Sequence, residues 1–148
     1  RALGRLLSLR ASLLDDMKLD YLIFDTSPGL QYSSINAIVA ADVAIVVTSL
    51  DASDIKGTQR MVHELYDLFE KKTGIVVNKV LTDMLPYVGK KETPAGQLQQ
   101  LHDLPILDTI ACSCDVLRAG GTRIFTMEMP EHPFTHTMKR ITKKIASF

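Results

Sequence analysis

The stretch Tyr21-Leu22-Ile23-Phe24-Asp25-Thr26-Ser27-Pro28-Gly29 decides how the rest of the chain is read. Its apolar run is too short for a helix and lies between Asp20 and a Pro-Gly turn, which predicts a strand over 20–25. An acid at the carboxyl end of a parallel strand stands where open α/β sheets bind ligands. A carboxylate there, Asp25, can hold a magnesium ion through water. A following glycine, Gly29, lets a backbone N–H approach a phosphate with no Cβ in the way. The pattern reads as the magnesium and switch half of a nucleotide site. The other half, a Gly-rich phosphate loop with its Lys, is not found in these 148 residues.

Working outward, Leu3, Leu6, Leu7, Leu13, Leu14 and Met17 recur at helical spacing, interrupted by Arg10, and predict an amphipathic helix over 2–18. Residues 33–41 predict a short buried helix with a Ser cap. Asp42 then precedes Val43-Ala44-Ile45-Val46-Val47-Thr48, a β-branched run typical of a parallel strand covered on both faces. Ser53 or Asp54 can cap the next helix, whose stripe is Met61/Val62, Leu65 and Leu68/Phe69, with Gly74 beyond its stop. Ile75-Val76-Val77 predicts a third strand ending in Asn78-Lys79. Residues 81–93 are mixed and polar and predict a mobile loop, and 94–102 a short helix starting at Pro94. Ile106–Ile110 predicts a fourth strand, although Asp108 and Thr109 sit awkwardly in it. Asp115–Ala119 predicts a helical turn closed by Gly120-Gly121, Met127-Glu128-Met129 extended packing, and the last helix begins near Pro133. Strands alternating with helices predict an α/β fold: a mainly parallel, doubly wound sheet with helices on both faces. No repeat, low-complexity segment or linker divides residues 1–148, so a single domain is expected.

Hydrophobic residues make up 46% and charged residues 23%, the balance of an ordinary globular domain. Seventeen basic and seventeen acidic side chains cancel, which removes any global signal for nucleic acid. No apolar run reaches the roughly 18 residues of a membrane span. The start, Arg1 to Arg10, carries no signal-peptide pattern, and two cysteines fit a reducing compartment, so a cytoplasmic location is expected. The chain begins with Arg, which suggests a fragment, a processed product or a truncation.

The set from Asp20 to Val80 closely resembles the MinD/ParA family of P-loop ATPases. The residues that carry it are Asp20 to Gly29, Ile35-Asn36-Ala37, Ala40-Ala41-Asp42, Val46-Val47-Thr48 and Val76-Val77-Asn78-Lys79. The resemblance implies the C-terminal part of such an ATPase, with ATP and magnesium as cofactors and a homodimer when nucleotide is bound. It implies a switch of the cell-division or partition-positioning kind that works with a protein partner. Asp25 would hold magnesium through water, Gly29 would sense the γ-phosphate, and Ser27 and Pro28 would shape that switch. Asn78 would hydrogen-bond adenine. The loop Ala111-Cys112-Ser113-Cys114-Asp115 would close over the base, and Asp115 alone carries over, because the family more often shows Ile-Pro and an acid here. The resemblance also places the phosphate-loop strand between the strands of Asp25 and Thr48, so its absence would leave a slot with unpaired backbone. Without that loop the chain alone is expected neither to hold triphosphate well nor to hydrolyse it. Base choice has a physical argument too. A guanine site built on Asn-Lys-x-Asp needs a final carboxylate, and Leu81 stands there, which favours ATP over GTP.

Other readings stay beside this one. A scaffold that has lost its phosphate loop would keep the fold and expose sheet edges to a partner or to itself. An iron–sulfur carrier of the same superfamily would need a Cys-x-x-Cys, whereas Cys112-Ser113-Cys114 leaves a one-residue gap that strains tetrahedral chelation, even with His132 and His136 nearby in sequence. His63 and His102 are expected to be solvated. The last helix carries Met138, Ile141, Ile145 and Phe148 on one stripe and Lys139, Arg140, Lys143 and Lys144 elsewhere. Residues 137–148 thus suit either a core-facing helix or contact with an anionic membrane, and one stripe favours the core. No Gly-x-Ser-x-Gly elbow supports a hydrolase triad.

Overall fold

The computed structural model describes residues 2–29, 31–69 (side chains to 64), 71–88, 90, 93, 96 and 104–148. Three parallel strands are paired in the order β1 (Val43–Thr48), β2 (Lys72–Val80) and β3 (Ile106–Ala111). The crossover from β1 to β2 is helix α3 (Ala52–Phe69). Helices α1 (Ala2–Asp15) and α2 (Tyr32–Ala40) precede the sheet, and α4 (Cys114–Arg118), α5 (Phe125–Glu128) and α6 (Pro133–Ala146) follow it.

The β-branched runs place β2 at the centre with both faces covered. Ile75 and Val77 are fully buried and Val76 nearly so. Alternation sends Ile75 and Val77 to one face, where they join Val46, Val62 of α3, Val80, Val88 and Leu104. Val76 turns to the other face and packs with Leu107 and Ile141 of α6. Each such burial is worth about 1.5–3 kcal/mol. Helices therefore cover both faces, as the sequence pattern required. The stripe Met138, Ile141, Ile145 and Phe148 lies against the second face, which is the core-facing role for residues 137–148. No described helix is long and apolar enough to cross a membrane.

Polar contacts fix α6 on the sheet. Asp108 of β3, whose side chain is 11% exposed, accepts from Arg140 Nε at 3.1 Å and lies 3.4 Å from Lys144 Nζ. Lys144 Nζ also donates to the Leu107 carbonyl. Asp108, the residue that weakens β3 as a strand in sequence, is thus the anchor of the helix above it. At the helix start His132 Nδ1 accepts from the Phe134 amide at 3.1 Å, with Pro133 in the first turn.

Several expectations need correction. The segment 20–25 pairs with no described strand, and Tyr21 and Ile23 are 67% and 87% exposed. An extended run becomes a strand only if a neighbour accepts its backbone bonds, and among the described residues β1 pairs only with β2. Helix α1 ends at Asp15, before residue 18, and buries no side chain, leaning on α2 with Arg10 paired to Asp42 at 2.6 Å. Helix α2 starts at Tyr32 after Gln31 with no side-chain cap, and Ser34 instead donates to the Ser27 carbonyl at 3.1 Å. Helix α3 is capped by Asp51, not by Ser53 or Asp54: the Asp51 carboxylate accepts from the Ser53 amide at 3.1 Å and the Ser53 hydroxyl at 2.9 Å. Those two bonds hold its carboxyl below the usual carboxylate range. Gly74 does lie beyond the end of α3 at Phe69. It lies inside β2 opposite Ile45 and under the Leu107 side chain. Part of the loop 81–93 is ordered as a 3-10 helix over Thr82–Tyr87, and Met127-Glu128 end the short helix α5 instead of an extended segment. The helix expected over 94–102 lies outside the described residues except at Gly96. The turn at 115–119 holds as α4, with Gly120 and Gly121 both at positive φ.

Candidate functional site at the carboxyl ends of β1 and β2

The carboxyl ends of parallel strands release their chain toward one side of the sheet, and a cleft of about 430 Å³ lies there. Pro28 and Gly29, Asn78 and Lys79, the end of β1 and the first turns of α3 all contribute to its lining.

Gly29 has φ +86°, in the left-handed region that glycine enters freely, and an added Cβ would meet no atom within 4 Å. Its backbone is therefore open to approach. Asn78 and Lys79 break the regular ladder of β2: the register to β3 shifts between Val77 and Val80, and Lys79 adopts φ +57°. A non-glycine residue in that region marks local strain, and a bulge re-aims its side chains. Asn78 Oδ1 accepts from the Lys79 amide at 2.8 Å, which fixes the side chain and leaves its NH2 donors and one lone pair for other partners. Among the lining residues Thr58 Oγ1 donates to Thr48 Oγ1 at 3.1 Å, both side chains buried. Ser49 Oγ donates to Asp54 Oδ2 at 2.6 Å and accepts from the Asp51 amide at 3.1 Å.

The structure thus brings Pro28, Gly29 and Asn78 to one cavity although they lie far apart in the chain. Asp25, Ser27 and Asp115 are not among its lining residues. Asp25 is exposed at the end of the unpaired segment, three residues before Pro28. The Ser27 carbonyl takes the Ser34 hydroxyl, tying the loop to α2. Asp115 faces Arg118 Nη1 at 3.3 Å and His132 Nε2 at 3.5 Å. The Cys112 amide donates to the Val80 carbonyl at 2.8 Å, so that loop continues the sheet beside Asn78's strand. Cys112 and Cys114 are free and exposed, and no cluster of three or more metal-ligating side chains occurs among the described residues. Sequence reasoning passed over Ser49, Gly57 and Thr58 and read Asp54 only as a helix cap. The one available signal was their position just past the carboxyl end of a parallel strand.

The residues present fit a nucleotide. An open glycine backbone at positive φ suits a phosphate oxygen, a fixed amide side chain suits a base edge, and an exposed acid next to the glycine loop suits a hydrated cation.

No curated protein matches the sequence. Solved structures do. The MinC:MinD cell division protein complex of Aquifex aeolicus matches with a TM-score of 0.81 at 14% identity, over 99% of this chain and 60% of that one. The Pyrococcus furiosus cell division ATPase MinD gives 0.69 at 20% identity, over 98% and 58%. The septum site-determining protein MinD of Pyrococcus horikoshii OT3, complexed with Mg-ADP, gives 0.72 at 20% identity, over 97% and 56%. The chain therefore spans about 60% of the length of the structures it matches. At these identities the likeness concerns the fold. The family profile of AAA_31, an AAA domain, matches residues 7–81, a little over half the chain and the stretch that contains Asp25, Gly29 and Asn78. The chain belongs to the AAA_31 family of AAA domains and has the P-loop NTPase fold of the MinD proteins.

Proposed function

We propose that this chain is the switch-and-base portion of an ATP-binding, magnesium-dependent ATPase of the MinD/ParA type. The observation that carries the reading is the convergence of Gly29 and Asn78 on one cleft at the strand ends. Gly29 would offer its backbone N–H to the γ-phosphate, with Ser27 and Pro28 shaping the loop. Asn78 would read adenine through its NH2 and remaining lone pair. Asp115 would reach the base only if its loop turned away from Arg118 and His132. Asp25 would hold magnesium through a water, and the ion would supply neutralisation of phosphate charge when bound. The P. horikoshii relative with Mg-ADP supports the choice of ligand. The MinC:MinD pair of the Aquifex relative supports a protein partner, here in a cell-division or positioning role. A nucleotide-bound homodimer working in the cytoplasm, or peripherally at a membrane, completes the scheme.

The reading of an open slot beside β1 draws support from exposure and pairing. Met17, Tyr21, Ile23 and Tyr32 before the sheet and Val47 of β1 are exposed, and β1 has no second pairing partner among the described residues. A strand carrying the phosphate loop would cover this edge. On this reading the isolated chain binds nucleotide weakly and does not turn it over. The same edge favours a second reading, a non-catalytic interaction domain whose edge is covered by a partner or by another copy.

Titration with Mg-ATP and Mg-GTP, followed by amide shifts of Gly29 and Asn78 and by sedimentation, separates the readings. The ATPase reading expects ATP to perturb both residues more strongly than GTP. It also expects Asn78→Ala to lower ATP affinity by about tenfold, the worth of one or two hydrogen bonds. ATP-independent self-association with no shift at either residue supports the scaffold reading, and turnover by the isolated chain contradicts the need for a separate phosphate loop.

A further inference from the structure

Cys112 and Cys114 have no role in the scheme above. They are the chain's two cysteines, and both are free and exposed. A cysteine kept for packing behaves as a small apolar side chain and is usually buried, so packing does not account for this pair. The backbone between them sets their geometry. The Cys112 amide donates to the Val80 carbonyl at 2.8 Å, which holds Cys112 in line with the sheet. Ser113 is extended, with φ −127° and ψ 115°, and Cys114 opens α4. Across one extended residue the flanking side chains leave the same side of the chain, with Cα atoms about 6.6 Å apart. A disulfide spans Cα separations of about 4.4–6.8 Å and prefers about 5.5–6 Å. The two sulfurs can therefore meet, but only with the backbone bent at Ser113. The Ser113 side chain makes no capping hydrogen bond that would oppose the bend.

We propose that Cys112 and Cys114 form a reversible, strained thiol–disulfide pair whose reaction partners are small-molecule disulfides. One thiolate attacks a sulfur of the incoming disulfide and expels one thiol, leaving a mixed disulfide on the protein. The other thiolate attacks the protein sulfur of that mixed bridge, closes the Cys112–Cys114 bond and expels the second thiol. The protein pair gives up two electrons and two protons, and the small disulfide takes them as it becomes two thiols. The closed bridge is strained by its near-limit span, and strained, exposed disulfides are the readily reduced ones. In a reducing compartment such a bridge is transient, as that of a redox sensor is. Closure bends the chain next to Asp115, whose carboxylate meets Arg118 at 3.3 Å and His132 at 3.5 Å, so the loop carries the redox state to those contacts. Neither cysteine lines the cleft, and the exchange needs no nucleotide.

The test equilibrates the 148-residue chain in glutathione buffers of rising oxidised fraction, folded and in urea, with alkylation and peptide mass spectrometry as readout. The expected product is the Cys112–Cys114 bridge within one chain. Because the fold holds Ser113 extended, the equilibrium constant for bridging is expected to be about tenfold smaller in the folded chain than in urea. The amides of Asp115 and Val116 are expected to shift on oxidation and to return with excess reduced glutathione. Cys112→Ser and Cys114→Ser, both at exposed positions, are each expected to stop at the mixed disulfide with glutathione. Glutathione on both cysteines with no bridge between them, bridges only between chains, or two free thiols in every buffer overturns the pair. A bridge that forms as readily in the folded chain as in urea, with no amide shift at Asp115, overturns the strain on which its reversibility rests.

Discussion

Substituting Gly74 by alanine probes how closely the central strand meets the Leu107 side chain of the neighbouring strand β3. A Cβ at Gly74 would lie 2.7 Å from Leu107 Cδ1, 2.8 Å from Cγ and 3.1 Å from Cδ2. Ordinary carbon contacts are about 3.5–4.0 Å, so the branch point of Leu107 must move by nearly 1 Å. Leu107 is 5% exposed and clusters with Val76 and Ile141, and a close-packed interior leaves such a side chain little room to give. Two effects favour alanine: a stiffer unfolded chain, at most about 1 kcal/mol, and one buried methyl, about 0.8 kcal/mol. Overpacking of a strand-backed leucine opposes them at the upper end of about 1–3 kcal/mol. The expected net is a loss of about 1 kcal/mol. Leu107→Ala alone is expected to cost about 2–5 kcal/mol by leaving a cavity. In the double variant the methyl introduced at position 74 occupies part of that cavity, so the two costs are expected to fall short of additivity by about 1–2 kcal/mol. Urea unfolding followed by circular dichroism gives all four stabilities, with unchanged m-values as the check on two-state behaviour. A Gly74→Ala chain as stable as the parent, with additive costs in the double variant, refutes the close-packing argument.

Asp108→Asn tests the anchor of α6. Burial raises the Asp108 pKa, but the Arg140 hydrogen bond, the Thr109 amide and the charges of Lys144 and Arg140 outweigh it, so the carboxyl ends below its ordinary value of 3.8. A lowered folded pKa stabilises above the unfolded value and loses that contribution as pH falls through the folded one. The variant is therefore expected to be less stable at neutral pH by about 1 kcal/mol, kept modest because Arg140 and Lys144 are half exposed, and the difference should close below about pH 4. A gap that does not narrow as pH falls below the ordinary value of 3.8 would assign the loss to shape instead of charge. Replacing both Ile145 and Phe148 by Glu is expected to cost stability, because both pack against the second face of the sheet. If urea unfolding of that variant matches the parent, the docked position of the stripe is wrong, and liposome binding by the parent becomes the measurement to pursue.

Local composition determined much of this protein. Continuous β-branched runs mark β1 and β2 as strands, but only β2 is covered on both faces, since Val47 of β1 is 60% exposed among the described residues. One apolar stripe sent α6 to the sheet, and Pro133 and Gly120-Gly121 punctuated the chain where the backbone needed them. The likeness of Asp20–Val80 to a known family also carried the fold, and with it Pro28, Gly29 and Asn78 as cleft residues. What remained illegible depends on neighbours distant in the chain. Tyr21–Phe24 has strand composition, yet pairing requires an adjacent edge that the described residues do not provide. Gly74 has the composition of a helix stop, and only the approach of Leu107 across the sheet reveals why no side chain fits there. Asp108 argues against a strand until Arg140 and Lys144, more than thirty residues later, come to lie over it. The α3 wall was invisible for the same reason: Asp54 and Gly57 acquire a cavity only when the ends of β1 and β2 meet the Pro28–Gly29 loop. Sequence records what a residue prefers, and tertiary structure decides which distant group it faces.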